Sequence, residues 1–192
     1  MRKTWTLVWK LLLIAAVAGV ALAVTNQITK DPIEEGKIAA ANEARRGVMP
    51  EAEEFEEITD IPEGIDSVYA AKKGGEVIGY TAQVTVNGYG GKIEVTVGMS
   101  VDGMITGISV GGSEFSETPG LGEKTKSIEF RSRFLGLKFD PENPFKAEKT
   151  PQKENEIQAV TSATISSQAV TDGVDTACGC IMEFIAEGGE QS

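Results

Sequence analysis

The sequence predicts an α+β fold: an antiparallel β-meander packed with helices and preceded by one N-terminal transmembrane helix. Three observations carry this. Residues 5–24 form a nearly uninterrupted apolar run, residues 66–110 alternate with period two between glycine-rich turns, and residues 165–186 return to a helical stripe. The order of strands and helices is not βαβ, so no dinucleotide-binding parallel unit is expected.

Composition sets limits before any element is placed. The 192 residues are 41% hydrophobic and hold 18 basic against 29 acidic residues, a net charge of −11. Arg2, Lys3 and Lys10 precede every acid, so residues 25–192 carry 15 basic and 29 acidic, a net −14. A body that acidic repels polynucleotides and anionic head groups, so nucleic acid is excluded as a partner. The absence of histidine excludes His-based triads and His-ligated metals or haem. Two cysteines, Cys178 and Cys180, build neither a disulfide framework nor a four-thiolate cluster.

The run from Trp5 to Val24 is broken only by Lys10. Its length, about 30 Å as a helix, matches a bilayer core. Lys10 can snorkel toward the side of Arg2 and Lys3, with Trp5 and Trp9 at the interface. Basic residues before the span and acids after it predict a cytoplasmic N-terminus and an extracytoplasmic body in the cell membrane. Ala21-Leu22-Ala23 also fits a signal-peptide cleavage site, which leaves the body on the same side.

The expected organisation is an anchor at 1–26, a stalk helix and linker at 27–56, and one domain at 57–192. Asp31-Pro32-Ile33-Glu34 reads as a helix start, with a cap, a proline at the first helical position and a capping-box glutamate. That helix is expected to end near 48, followed by an acidic, linker-like stretch at 50–60. Strands are expected at 67–72, 77–86, 92–99 and 105–110, separated by Gly74-Gly75, by Asn87 to Gly91 and by Asp102-Gly103. Residues 126–135 read as an amphipathic helix with Ile128, Phe130, Phe134 and Leu135 as its apolar face. A polar loop at 139–154 and an apolar run at 157–160 precede the last helix, whose stripe is Ala169, Val170, Val174, Cys178, Ile181 and Phe184–Ile185. Side chains at i and i+2 of a helix diverge, so Cys178 and Cys180 read as small core residues.

Three segments offer chemistry. Thr161-Ser162-Ala163-Thr164 leads into the last helix, where Thr164 is placed to cap unpaired amides at the positive end of the dipole, a phosphate-binding arrangement. Glu117-Thr118-Pro119-Gly120-Leu121-Gly122 builds a tight loop whose backbone can approach a flat ligand. Gly88-Tyr89-Gly90-Gly91 is a glycine-rich hairpin turn. Each alone also reads as ordinary structure, a cap or a turn.

Together they resemble one family. ETPGLG, the upstream GYGG and the hydroxyl motif before the last helix are similar to the FMN-binding domain of Rnf-type complexes. The closer resemblance is to the G subunit of the ion-translocating ferredoxin:NAD oxidoreductase. It runs nearly end to end: one anchor, a D-P-I segment, the meander and both motifs. The resemblance implies FMN attached covalently through its phosphate to the motif's last threonine, Thr164, by a dedicated flavin transferase that uses FAD. Thr161, Ser162 and Ala163 would surround the phosphate. Glu117, Thr118, Gly120, Leu121 and Tyr89 would line the isoalloxazine, with Glu117 aimed at it. The implied role is electron transfer within the complex, with other membrane subunits as partners and no independent catalytic residue. The chain departs from the pattern at Gln158, where Asp commonly stands, at Phe115, where His is frequent, and at Ser162, where Gly is usual. A serine there calls for negative φ. Two rival functions remain: a membrane-anchored binding or assembly module without a chromophore, and a flavin domain of a different respiratory reductase.

Overall fold

The computed structural model describes residues 2–189. The chain divides into two units, Met1–Ala40 and Ala41–Ser192, each taken by itself below. The described residues of the first are all helical, part of helix α1 (Arg2–Val48). Trp5, Trp9, Leu12, Ile14, Val17 and Leu22 are all exposed on it, and it is long and apolar enough to cross a membrane. The helix start expected at Asp31 does not occur, because α1 continues through Pro32. Proline removes one amide, leaving the Ile28 carbonyl without its helical partner. On an exposed helix flanked by good helix formers, water makes up that single loss.

The second unit is built on a five-stranded antiparallel sheet of order β1-β2-β3-β4-β5. Its strands are β1 (Glu54–Ile58), β2 (Ser67–Lys73), β3 (Glu76–Asn87), β4 (Lys92–Ser100) and β5 (Ile105–Gly111). Four of these match the alternating runs of the sequence to within a residue or so. The fifth, β1, occupies the stretch expected to be a linker. Its register, Phe55 opposite Ala71 and Ile58 opposite Val68, half-buries two apolar residues among acids that disguise the alternation. Lys72 pairs with Glu56, and the charges keep this edge strand from recruiting another chain.

Helix α3 (Thr164–Gly189) packs across one face of the sheet. Val170, Val174, Cys178 and Ile181 meet Val68, Ala82, Val84, Val95 and Val97 in the core, all nearly or fully buried. The helix lies so close that a side-chain carbon at Gly173 would touch Val84, Val86 and Val95. Both cysteines are free and buried, and burial pushes the Cys178 thiol far up and the Cys180 thiol to about 11, so neither is a thiolate at neutral pH.

The expected helix at 126–135 is broken into three pieces: a 3₁₀ turn (Gly122–Lys126), helix α2 (Ile128–Arg131) capped by Ser127, and a second 3₁₀ turn (Ser132–Phe134). Phe130 and Phe134 are buried as expected, but Ile128 is 76% exposed and Leu135 faces solvent. The inward side of these short turns is filled by Phe130 from α2 and Phe134 from the second 3₁₀ turn. The polar loop that follows contains β6 (Lys146–Glu148), paired in parallel with β7 (Glu156–Gln158). Phe139 and Phe145 anchor this loop in an aromatic cluster with Phe134.

The end of α1 seals the reverse face of the sheet. Val48 and Met49 are buried against Gly79, Gly98 and Gly107, and the Val48 carbonyl accepts from the Thr106 hydroxyl at 2.7 Å. Arg45 lays its guanidinium 3.3 Å from the centre of the Tyr69 ring.

Candidate functional site

The three segments singled out in the sequence converge at the N-terminus of α3. A pocket of about 480 Å³ is lined by Tyr89 from the β3–β4 turn, by Glu117, Thr118, Leu121 and Gly122 from the loop after β5, and by Ser162, Ala163, Thr164, Ile165 and Ser166. Gly120 and Thr161 lie in the same two loops, exposed, but do not line the pocket. Thr164 and Ile165 also border a second pocket of about 630 Å³ with Val86, Asn87, Gln168, Ala169 and Asp172. The exposed Thr164 therefore stands on the ridge between two concavities, beside the exposed apolar groups Tyr89, Leu121 and Ile165.

Thr164 is not the helix cap. The Ala163 carbonyl accepts the first helical bond, from the Ser167 amide at 2.9 Å, so Ala163 is the N-cap and Thr164 the first helical residue. Alanine has no side-chain acceptor to give the helix's first amides. The Ser167 hydroxyl does not cap them either: it donates to the Ala163 carbonyl and accepts from the Val160 amide, both at 2.9 Å, tying the preceding turn to the helix. The helix thus opens toward the pocket with unpaired N–H groups and its positive dipole end.

The turn before it is left-handed. Ser162 has φ of +62°, and among the described residues it is the single non-glycine with positive φ. The negative φ expected for a serine in this place is not adopted, because the chain must reverse between β7 and α3 within a few residues, and the left-handed conformation achieves that. Gln158, at the end of β7, keeps its side chain in solvent while its carbonyl accepts from Arg133. Phe115 is half-buried under the Lys126 ammonium, 3.6 Å from the ring centre.

Glu117 is 7% exposed and faces inward. Its Oε1 accepts from the Gly90 amide at 3.1 Å and its Oε2 from the Ser166 hydroxyl at 2.7 Å. The carboxylate lies in a slot between Gly88 and Gly122, where a side chain at either glycine would collide with it. GYGG and ETPGLG are therefore two walls of one contact. Sequence reasoning missed Ser166 and Gly122 as site residues. The signal was a polar residue two positions into a helix that proved fully buried, which no spacing rule separates from a solvated serine.

Among the described residues no group of three or more Cys, Asp or Glu side chains is placed to hold a metal ion. Asp175, about three turns further along α3, accepts from the Phe145 amide at 3.0 Å; burial, reinforced by the nearby Asp172, raises its carboxyl from 3.8 to about 6 against that bond.

Comparison with known proteins agrees with this geometry. Residues 88–179, which include the GYGG turn, the ETPGLG loop and Thr164, match the FMN-binding domain family. The chain is 39% identical over 189 residues to the G subunit of the Na⁺-translocating ferredoxin:NAD⁺ oxidoreductase complex of Acetobacterium woodii, covering 89% of this chain and 90% of that one. It is 32% identical over 168 residues to the proton-translocating counterpart of Clostridium ljungdahlii, covering 88% and 86%. The crystal structure of Shewanella oneidensis NqrC has the same fold, with a TM-score of 0.55 at 18% identity over 76% of this chain and 74% of that one. The likeness to the two oxidoreductase subunits runs through most of each chain, and the chain belongs to the G-subunit family of Rnf-type ion-translocating ferredoxin:NAD oxidoreductases, with that family's FMN-binding domain.

Proposed function

We propose that this chain is the flavin-carrying electron-transfer subunit of a membrane-bound, ion-translocating ferredoxin:NAD oxidoreductase, with FMN esterified through its phosphate to Thr164. The observation that carries the reading is the placement of an exposed threonine hydroxyl at the first residue of a side-chain-uncapped helix, on the lip of a pocket built by ETPGLG and GYGG. The residues fit the group. The amides and dipole of α3 suit a phosphodiester anion, which is otherwise poorly served in a chain of net charge −11. Tyr89, Leu121 and Ile165 offer apolar faces to a flat ring, and the pocket has the size of small-molecule sites.

An isolated threonine hydroxyl is a weak nucleophile, so attachment needs a dedicated transferase with FAD as donor. In that step the Thr164 oxygen bonds to the FMN phosphorus, the pyrophosphate bond to AMP breaks, and the hydroxyl proton passes to the transferase or to solvent. Bound FMN supplies the capacity to take up and release electrons. The protein's residues hold the phosphate, shape the pocket and keep the ring at a fixed place. The tether prevents loss of the cofactor on the outer side of the membrane.

That side follows from the charges. Arg2, Lys3 and Lys10 lie at or before the span and the acidic body follows it, so the N-terminus stays in the cytoplasm and the body lies outside. Helix α1 anchors the chain among the other membrane subunits of the complex. The test is the intact mass of denatured protein from cells that also supply a flavin transferase. The native chain is expected to gain FMN less one water and Thr164→Val to gain nothing. An unmodified native chain beside an active control would refute the covalent assignment.

A further inference from the structure

Glu117 is a buried carboxylate whose partners are all neutral. None of the ion pairs among the described residues involves it. Both of its oxygens have a partner, Oε1 the Gly90 amide and Oε2 the Ser166 hydroxyl, a set that a carboxylate satisfies by accepting twice. Ser166 is itself 1% exposed, so the pair is sealed from solvent on the α3 side. Keeping a charge there without a cation is unfavourable unless it serves something. Glu117 also lines the pocket, and each of its oxygens carries one of these bonds with a further lone pair to spare.

Resting on the flavin reading above, we infer that Glu117 is a positioning residue with a second, electrostatic role. Its two bonds tie the β3–β4 turn and the first turn of α3 to the ETPGLG loop, which fixes Thr164 on the pocket lip. Its charge, held at the pocket wall without a side-chain cation to pair with, opposes electron density added to a bound ring and lowers the ring's reduction potential. The two roles separate chemically. In Glu117→Gln the amide oxygen still accepts from Gly90 and the amide nitrogen donates to a reversed Ser166 hydroxyl, so the tie survives and the charge goes. Glu117→Ala loses both, leaving the buried Ser166 hydroxyl unpaired and the Gly90 amide without its acceptor.

The experiment uses the full-length chain in detergent, matured with a flavin transferase, as native protein, Glu117→Gln, Glu117→Ala and Ser166→Ala. Flavin occupancy is read by intact mass, thermal melting by fluorescence, and the flavin midpoint potential by spectroelectrochemistry. Glu117→Gln is expected to match native occupancy and melting while its potential moves positive. Glu117→Ala is expected to lose occupancy several-fold and to melt well below Glu117→Gln, with Ser166→Ala between them. An unchanged potential in Glu117→Gln overturns the electrostatic role. Equal occupancy and melting in Glu117→Ala and native protein overturn the tie. Absence of flavin from the native chain beside an active control overturns the flavin reading and the electrostatic role with it. The tie is then still decided by melting alone, because Glu117→Gln must rescue what Glu117→Ala loses.

Discussion

A single backbone angle stands out at the scale of the residue. Ser162 is held at φ of +62°, a conformation that disfavours any residue with a Cβ. Nothing in the turn requires a side chain for its geometry, so Ser162→Gly is expected to relieve the strain and raise the stability of the folded unit by about 1 kcal/mol. Denaturant titration of the full chain checks it, and a loss of stability would mean that the serine side chain makes a contact outweighing the strain. Thr164 and Glu117 divide the work of the site differently from the way their sequence positions suggest. The threonine is exposed at the first residue of α3, and its hydroxyl is not engaged in capping, since Ala163 holds the N-cap position. The glutamate is buried at the pocket wall, where its two bonds join the β3–β4 turn to α3.

Among the elements, the end of α1 and the reverse face of the sheet make an especially tight contact. A Cβ at Gly98 would lie 2.7 Å from the Val48 carbonyl oxygen, and one at Gly107 would lie 2.9 Å from the Val48 Cα. These are backbone atoms with nowhere to move. Gly98→Ala is therefore expected to destabilise the unit by about 1–3 kcal/mol through overpacking. Hydrogen exchange at the amides of residues 45–49 is expected to quicken at the same time, and unchanged protection there would show that the sheet yields instead. The other instructive element is the segment 122–134. The apolar residues of 126–135 suggest one amphipathic helix, yet the chain forms three short pieces here. Two phenylalanines at i and i+4 need only one turn to be buried, and the left-handed Gly136 then leads the chain back to β5. There the backbone of 136–139 exchanges hydrogen bonds with Gly103 and Ile105, covering the edge that β5 would otherwise expose.

For the folded unit as a whole, pH dependence is set in part by Asp175. Burial, with Asp172 adding to it, holds its carboxyl near 6 rather than 3.8. Between those values the folded chain keeps a proton that the unfolded chain has released. Stability from this group is complete below about pH 4 and declines as pH rises through 6. Asp175→Asn keeps an acceptor for the Phe145 amide and removes the penalty. It is expected to be more stable than the native chain by about 1 kcal/mol at pH 7 and no different near pH 4. That figure is well under the full conversion of the shift, since Asp175 is only half-buried and water screens it. Melting curves across pH 4 to 8 decide it, and a gain that persists at the acidic end would contradict the assignment.

Much of this was legible in the sequence. The apolar span, the four alternating strands and the stripe of α3 are written in local periodicity, because each depends on neighbours a few residues away. The motifs that mark the FMN-binding family are likewise local strings. What the tertiary structure decided are relations between distant residues. Phe55 and Ile58 became strand β1 because Ala71 and Val68 were there to pair with them. Lys146–Glu148 became a strand only on meeting Glu156–Gln158. The end of α1 found its place because three glycines on three strands cleared a slot for Val48 and Met49. Glu117 took its role from Gly90 and Ser166, which lie 27 and 49 residues away along the chain. Periodicity reports which face of an element is apolar, whereas the partner that covers that face, and the polar group sealed beneath it, exist only once the chain has closed on itself.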